Sequence, residues 1–121
     1  MQRIFLKAKI HRARVTATRL DYEGSLSIDR SLMEEVDIAP HERVGVYNLA
    51  NGERFDTYAI AASEGSGEVS LNGAAARKGQ PGDMIIIATY ALLDEGELAT
   101  HRPKVVSVDE KNRLLLGGGA E

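Results

Sequence analysis

The chain has 121 residues, enough for one hydrophobic core and not for two. Apolar residues make up 43% of it and the net charge is −3, which suits a folded globular protein and gives no basic footprint for nucleic acid or an anionic membrane. It has no cysteine, which removes disulfides, thiolate catalysis and thiolate metal sites together, and at 5% aromatic it offers no base-stacking platform.

The opening "MQRIFLKAKIHRARV" carries charges every few residues and no apolar h-region, so it does not read as a signal peptide. Ile4, Leu6, Ala8 and Ile10 alternate with Lys7, Lys9 and His11, the period of a strand. After Arg12 the apolar phase slips to Ala13, Val15 and Ala17, which predicts a bend or bulge near 11 and 12. A second strand ends near Leu20, and "DYEGSLSIDR" opens as a turn. Asp29 is placed to cap a short helix whose Leu32, Met33 and Val36 share a face, with Pro40 stopping it. "RVGVYNLA" and "ERFDTYAIAA" flank Asn51-Gly52, which predicts a hairpin with a type I′ turn.

Further on, "SEGSG" is a turn, "EVSLN" a short strand, and "GAAARKGQPGD" a loop with one helical turn. "MIIIATYALL" at 84–93 reads as the most buried strand, and it is far too short to span a bilayer. "DEGE" is its turn, "PKVVSVD" an edge strand, and residues from about 112 to 121 a flexible tail. Many short strands, one or two short helices and 12 glycines predict a single mainly β domain, a small closed barrel. A soluble cytoplasmic protein is the default expectation.

Common site chemistries find little support. His11, His41 and His101 are solitary, so no metal is expected. There is no G-x-S-x-G elbow, no P-loop and no G-x-G-x-x-G opening a helix. What remains is a kit for a small anion. "KAKIH" puts Lys9 and His11 on one strand face, and "RFDTY" puts Arg54 and Tyr58 on one face with Thr57 opposite. "NGAAA" offers the Asn72 side chain beside Gly73, Ala74 and Ala75, whose backbone amides are easily approached. Each piece alone has a plain structural reading. Gly24-Ser25 is an exposed turn, Lys9 a solvated charge, His11 structural, Asn72-Gly73 a turn pair, and Arg54 with Tyr58 a surface cation by a ring.

Taken together, "KIHR", "YEGS", "NGERF-TYAIAA", "NGAAA" and "GD-IIIA" resemble the pyruvoyl-dependent aspartate 1-decarboxylases, in the same order and over residues 1 to about 103. The resemblance implies a six-stranded double-ψ β-barrel, assembled as a homotetramer with active sites between subunits. It also implies self-cleavage between Gly24 and Ser25 into residues 1–24 and 25–121. Ser25 Oγ attacks the Gly24 carbonyl, the resulting ester undergoes β-elimination, and hydrolysis leaves a pyruvoyl group and ammonia. That covalently bound ketone is the implied cofactor, an electron sink that takes L-aspartate as a Schiff base and releases CO₂ and β-alanine for pantothenate.

By the same resemblance Tyr58 is the proton donor, Thr57 or nearby amides serve the cleavage oxyanion, and Asn72, Gly73, Ala74 and Ala75 meet the substrate. Arg54, helped by Lys9, is expected on the side-chain carboxylate, because an ion pair to the departing carboxylate would oppose its loss. Ile60 or Ile86 supplies a dry patch for the departing group, with Tyr22 and His11 in support. Some relatives need a helper protein for cleavage, and the sequence leaves that open here. Two alternatives stand beside this reading: an uncleaved, non-enzymatic barrel acting as a binding or assembly module, and a decarboxylase of another acidic amino acid such as glutamate.

Overall fold

The alternating N-terminal segment forms β1 (Arg3–Arg14), and it pairs antiparallel with β7 (Met84–Leu93). The computed structural model describes residues 1–115. The pairing slips twice, between Leu6 and Ala8 and between Ile10 and Ala13. The second slip is the bulge expected from the phase change, with Arg12 at φ 69°. The first has no signal in the sequence; there Lys7 reaches Glu42 at 3.0 Å.

The remaining strands are β2 (Ala17–Arg19), β3 (Ser25–Asp29), β4 (Arg43–Asn48), β5 (Arg54–Ala62), β6 (Val69–Asn72) and β8 (Lys104–Ser107). Their order in one sheet is β2-β6-β3-β5-β4-β7-β1-β8. Just past β1 the chain changes neighbours: Val15 N–H donates to Asp83 C=O at 2.9 Å, and Thr16 N–H to Val69 C=O at 2.7 Å. β1 and β2 therefore act as one bent stave, leaving β7 and joining β6. With β6, β3, β5, β4 and β7 it closes a barrel of six staves, the number the family resemblance implied. β8 pairs parallel with β1 outside that circuit, as the expected edge strand.

Inside the barrel Ile10, Leu26, Ile28, Val46, Leu71 and Ile87 are fully buried. Helix α1 (Arg30–Val36) adds Leu32, Met33 and Val36 to the same core. It ends at Asp37, whose left-handed φ of 59° turns the chain three residues before Pro40 can act. "DEGE" is not a bare turn. Asp94 and Glu97 form a capping box on the one-turn helix α2 (Glu95–Leu98). A 3₁₀ turn covers Gly73–Lys78.

Other expectations are corrected. Only Gly52 of the Asn51-Gly52 pair takes a positive φ, 78°, so the β4–β5 hairpin closes with a longer loop instead of a type I′ turn. In β7 Tyr90 and Leu92 are exposed, whereas every residue of β3 and β6 is buried. β3 falls within "DYEGSLSIDR", where the sequence predicts a turn. Residue 112, expected to open a loose tail, is anchored. Asn112 exchanges hydrogen bonds with the backbone of Arg14 at 2.8 and 2.9 Å and donates to Gly67 C=O at 2.8 Å. The rest of the expected tail, 116–121, lies outside the described residues. Among the described residues no helix is long and apolar enough to cross a membrane.

Asp29 joins β3, α1 and the 63–68 loop. Its carboxylate accepts from Ser31 N–H (2.9 Å), Ser31 Oγ (2.7 Å), Gly65 N–H (3.0 Å) and Gly67 N–H (2.8 Å). Burial alone would raise its pKa, but these donors outweigh it and hold it below the ordinary 3.8. Its stabilising contribution is therefore complete above that value and is lost as pH falls through the lower folded one. Asp29→Ala is expected to lower the unfolding free energy by about 2 kcal/mol or more at neutral pH. Urea unfolding against pH checks this: the gap to the parent should narrow in acid, and a constant gap counts against it.

Candidate active site

β3 pairs antiparallel with β6, setting Ser25 opposite Asn72, Leu26 opposite Leu71, Ser27 opposite Ser70 and Ile28 opposite Val69. Strand side chains alternate between faces, so the two apolar pairs enter the core and the two polar pairs take the outer face. On the other side β5 runs parallel, with Leu26 beside Ala59 and Ser27 beside Ile60. Tyr58 and Ile60 therefore share the outer face with Ser25.

Ser25 is 1% exposed. Its Oγ donates to Glu23 C=O at 3.3 Å and accepts from Asn72 Nδ2 at 3.0 Å. The same Nδ2 donates to Ser27 Oγ at 2.9 Å. Asn72 Oδ1 is buried and has no hydrogen-bond partner among the described residues. The next residue, Gly73, has φ 64°, and a Cβ there would lie 2.7 Å from Gly24 Cα and 2.8 Å from Gly24 N. Only glycine lets this backbone come so close to Gly24. Gly24 is different: its φ lies outside the left-handed region, and nothing stands within 4 Å of where its Cβ would be. Gly24 therefore does not use the left-handed conformations open to glycine, and its Cβ side is open.

An open cleft of about 470 Å³ lies in front of Ser25, lined by Asp21, Tyr22, Glu23, Ser25, His41, Tyr58 and Ile60. The structure thus brings together Ser25, Tyr58, Ile60 and Tyr22, with Asn72 and Gly73 behind and Gly24 alongside. Asp21, Glu23 and His41 were not singled out from the sequence. The two acids flank Tyr22 in "DYEGS", which could have marked them. Nothing near "APHE" marks His41. Its φ of 72° and the bond from its N–H to Ala59 C=O at 2.7 Å come from the tertiary fold, and its ring centroid is 6.1 Å from that of Tyr58.

Lys9, His11, Arg54, Thr57 and Ile86 do not line this cleft. Arg54 lies four residues before Tyr58 on β5, about 13 Å along the strand. Its guanidinium stacks 3.9 Å over the Tyr47 ring, the residue opposite it on β4. Burial and a 2.7 Å bond to the Tyr90 hydroxyl push the Tyr47 pKa up to about 12, so the ring under the cation stays neutral. Ile86 is opposite Tyr47, and Lys9 is in the neighbouring row with Ala88 and Gly45. These residues form a separate basic and aromatic patch on the outside of β5, β4, β7 and β1. Thr57 pairs with buried Val44, on the other side of β5 from Arg54 and Tyr58. His11 lines a separate depression with Arg14 and Asp109. In the 3₁₀ turn Ala75 is buried and Ala74 exposed. Among the described residues no three His, Asp or Glu side chains are grouped to hold a metal ion.

Residues 1–115 match the family model described as aspartate decarboxylase. A protein of Syntrophobacter fumaroxidans named aspartate 1-decarboxylase is 63% identical over 98% of this chain and 95% of its own length. Proteins of the same name are 55% identical in Thermoanaerobacter pseudethanolicus, over 93% and 97%, and 50% identical in Shouchella clausii, over 100% and 95%.

The two glycines should respond differently to an added methyl group. Gly73→Ala meets both a left-handed φ and the Gly24 backbone, and is expected to destabilise the fold by about 2 kcal/mol. Gly24→Ala faces open space and should keep an unfolding midpoint close to the parent's. Thermal or urea unfolding of both variants checks this, and equal midpoints would contradict the Gly73 contact.

Proposed function

The chain belongs to the aspartate decarboxylase family, and on that premise we propose that it decarboxylates L-aspartate to β-alanine through a pyruvoyl group made from its own Ser25. The observation that carries the proposal is the Asn72 amide on Ser25 Oγ, at the back of a cleft shared with Tyr58. The surroundings of Ser25 fit the making of such a group. The hydroxyl is shielded from water, held by a donor, and adjoins a peptide that is open beside Gly24.

Cleavage runs through the chain's own atoms. Ser25 Oγ bonds to the Gly24 carbonyl carbon, the C–N bond breaks, and the nitrogen takes the hydroxyl proton, leaving an ester. Loss of the Ser25 α-hydrogen then breaks the Cβ–O bond, freeing Gly24 as a carboxylate. Tautomerisation and addition of one water release ammonia and leave the ketone on residue 25. The products are residues 1–24 and 25–121.

When present, the pyruvoyl group supplies a ketone conjugated with an amide, an acceptor for the electron pair left by departing CO₂. Tyr58 holds the proton that returns to the substrate's α-carbon, and Ile60 keeps the departing side dry. Asn72, Gly73, Ala74 and Ala75 offer the amide donors around the bound acid. The side-chain carboxylate requires a cation, and the walls of the cleft carry Asp21 and Glu23. Arg54 and Lys9 of a second copy meet that need in a homotetramer with sites between subunits. The exposed Ile4, Tyr90 and Leu92 beside the basic patch suit such burial. Pantothenate synthesis in the cytoplasm is the proposed setting, with cleavage spontaneous or helped by another protein.

Intact mass tests the cleavage. The parent should give two pieces, the larger lighter by one ammonia than a serine-ended fragment, and Ser25→Ala should stay whole and release no CO₂ from aspartate. A parent that remains whole on prolonged incubation favours an uncleaved binding module. Mixing tests the shared site: unfolded and refolded together, Arg54→Ala and Tyr58→Phe chains should regain roughly a quarter of parental turnover or less, while each alone is nearly inactive. No recovery would leave each site within one chain.

A further inference from the structure

We infer that Ser27 is a positioning residue for the Gly24–Ser25 cleavage, acting through Asn72. The inference rests on the proposed self-cleavage and assigns part of its rate to a side chain that touches neither reacting carbon. Ser25 and Ser27 are two residues apart on β3, so both hydroxyls stand on the face that meets Asn72. The Asn72 amide donates to Ser25 Oγ at 3.0 Å and to Ser27 Oγ at 2.9 Å. Its oxygen has no partner among the described residues, so these two bonds are what fix the plane of the amide. Ser70, opposite Ser27 on β6, does not compete, because its Oγ donates to Glu68 at 2.9 Å.

The consequence for the nucleophile is geometric. With its proton directed to Glu23 C=O and one lone pair taken by Asn72, Ser25 Oγ is held in a single orientation. The donor on Oγ also steadies negative charge as the proton leaves. Without the Ser27 hydroxyl the amide is held at one point and can turn about its Cβ–Cγ bond. In the turned position its oxygen faces Ser25 Oγ and the stabilising donor is gone. A loss of about one hydrogen bond's worth of alignment is expected to slow cleavage about tenfold.

The test is the rate of appearance of fragment 25–121 by intact mass, on freshly purified chain. Ser27→Ala should slow it about tenfold. Ser27→Thr, which restores the hydroxyl, should stay within about threefold of the parent, and Ser27→Val, of the same shape without the hydroxyl, should be as slow as alanine. Ser70→Ala, next door but not on Asn72, should cleave at the parental rate. Thermal midpoints measured alongside separate folding from alignment, and the threonine–valine pair decides the matter if alanine disturbs the strand. Parental rates in both Ser27→Ala and Ser27→Val overturn the inference while leaving self-cleavage standing. A parent that is never cut overturns self-cleavage and this inference with it.

Discussion

The register that sets Ser25 opposite Asn72 is the constraint from which the site follows. In a paired strand, a slip of one residue would bring Leu26 to Asn72 and turn every side chain of β3 to the wrong face. That slip is opposed by the core. Leu26, Ile28, Val69 and Leu71 are fully buried, and each stabilises the native register by roughly 1.5–3 kcal/mol through burial. One or two polar bonds could not hold the alignment against thermal motion alone. The hydrophobic half of two short strands therefore fixes the geometry of the polar half.

Both ends of β3 are also fastened. At the far end Asp29 binds two glycine amides of the 63–68 loop and caps α1, so the strand, the loop and the helix move together. At the near end Gly73 lies against Gly24, closer than any side chain would allow. A five-residue strand would ordinarily fray where it leaves the sheet. Here the peptide that the proposed cleavage would break adjoins the last pair, Ser25 with Asn72, where a nucleophile must be aligned to within about half an ångström to act.

Much of this was legible in the sequence, and the failures have physical causes. α1 and its cap were evident from Asp29, Leu32, Met33 and Val36, and the β1 bulge from the phase change at Arg12. β3 was missed: "SLSID" alternates as a strand does, but Gly24-Ser25 at its start has turn chemistry and hid the strand behind it. The type I′ turn failed because Asn51 sits within a loop from Leu49 to Glu53 and has no need of a left-handed φ. Of the residues named from the motifs, Ser25, Tyr58, Ile60 and Tyr22 line one cleft. Arg54 does not join them: it lies four residues before Tyr58 on β5 and stacks on Tyr47, a cross-strand neighbour that no motif links to it. His41 enters the cleft through a backbone conformation set by the fold, and local sequence carries no trace of that.

Two kinds of chemistry make different demands on this surface. Cutting a peptide bond from within needs a nucleophile, its positioning donor and its target, and Ser25, Asn72 and Gly24 all belong to one chain. Capture of a dicarboxylic acid needs positive charge, and the cleft presents Asp21 and Glu23 instead. Two carboxylates close to a bound anion repel it by about 1 kcal/mol or more each when partly shielded from water. Lys9 and Arg54 could reverse that sign, but they stand on the outside of neighbouring strands, with Arg54 stacked on Tyr47. On the proposed reading, maturation is therefore a property of the folded chain, whereas substrate binding is a property of the assembly. In that proposal the same outer face serves both, first as the surface that aligns Ser25 and then, covered by another copy, as the wall that supplies the missing charge.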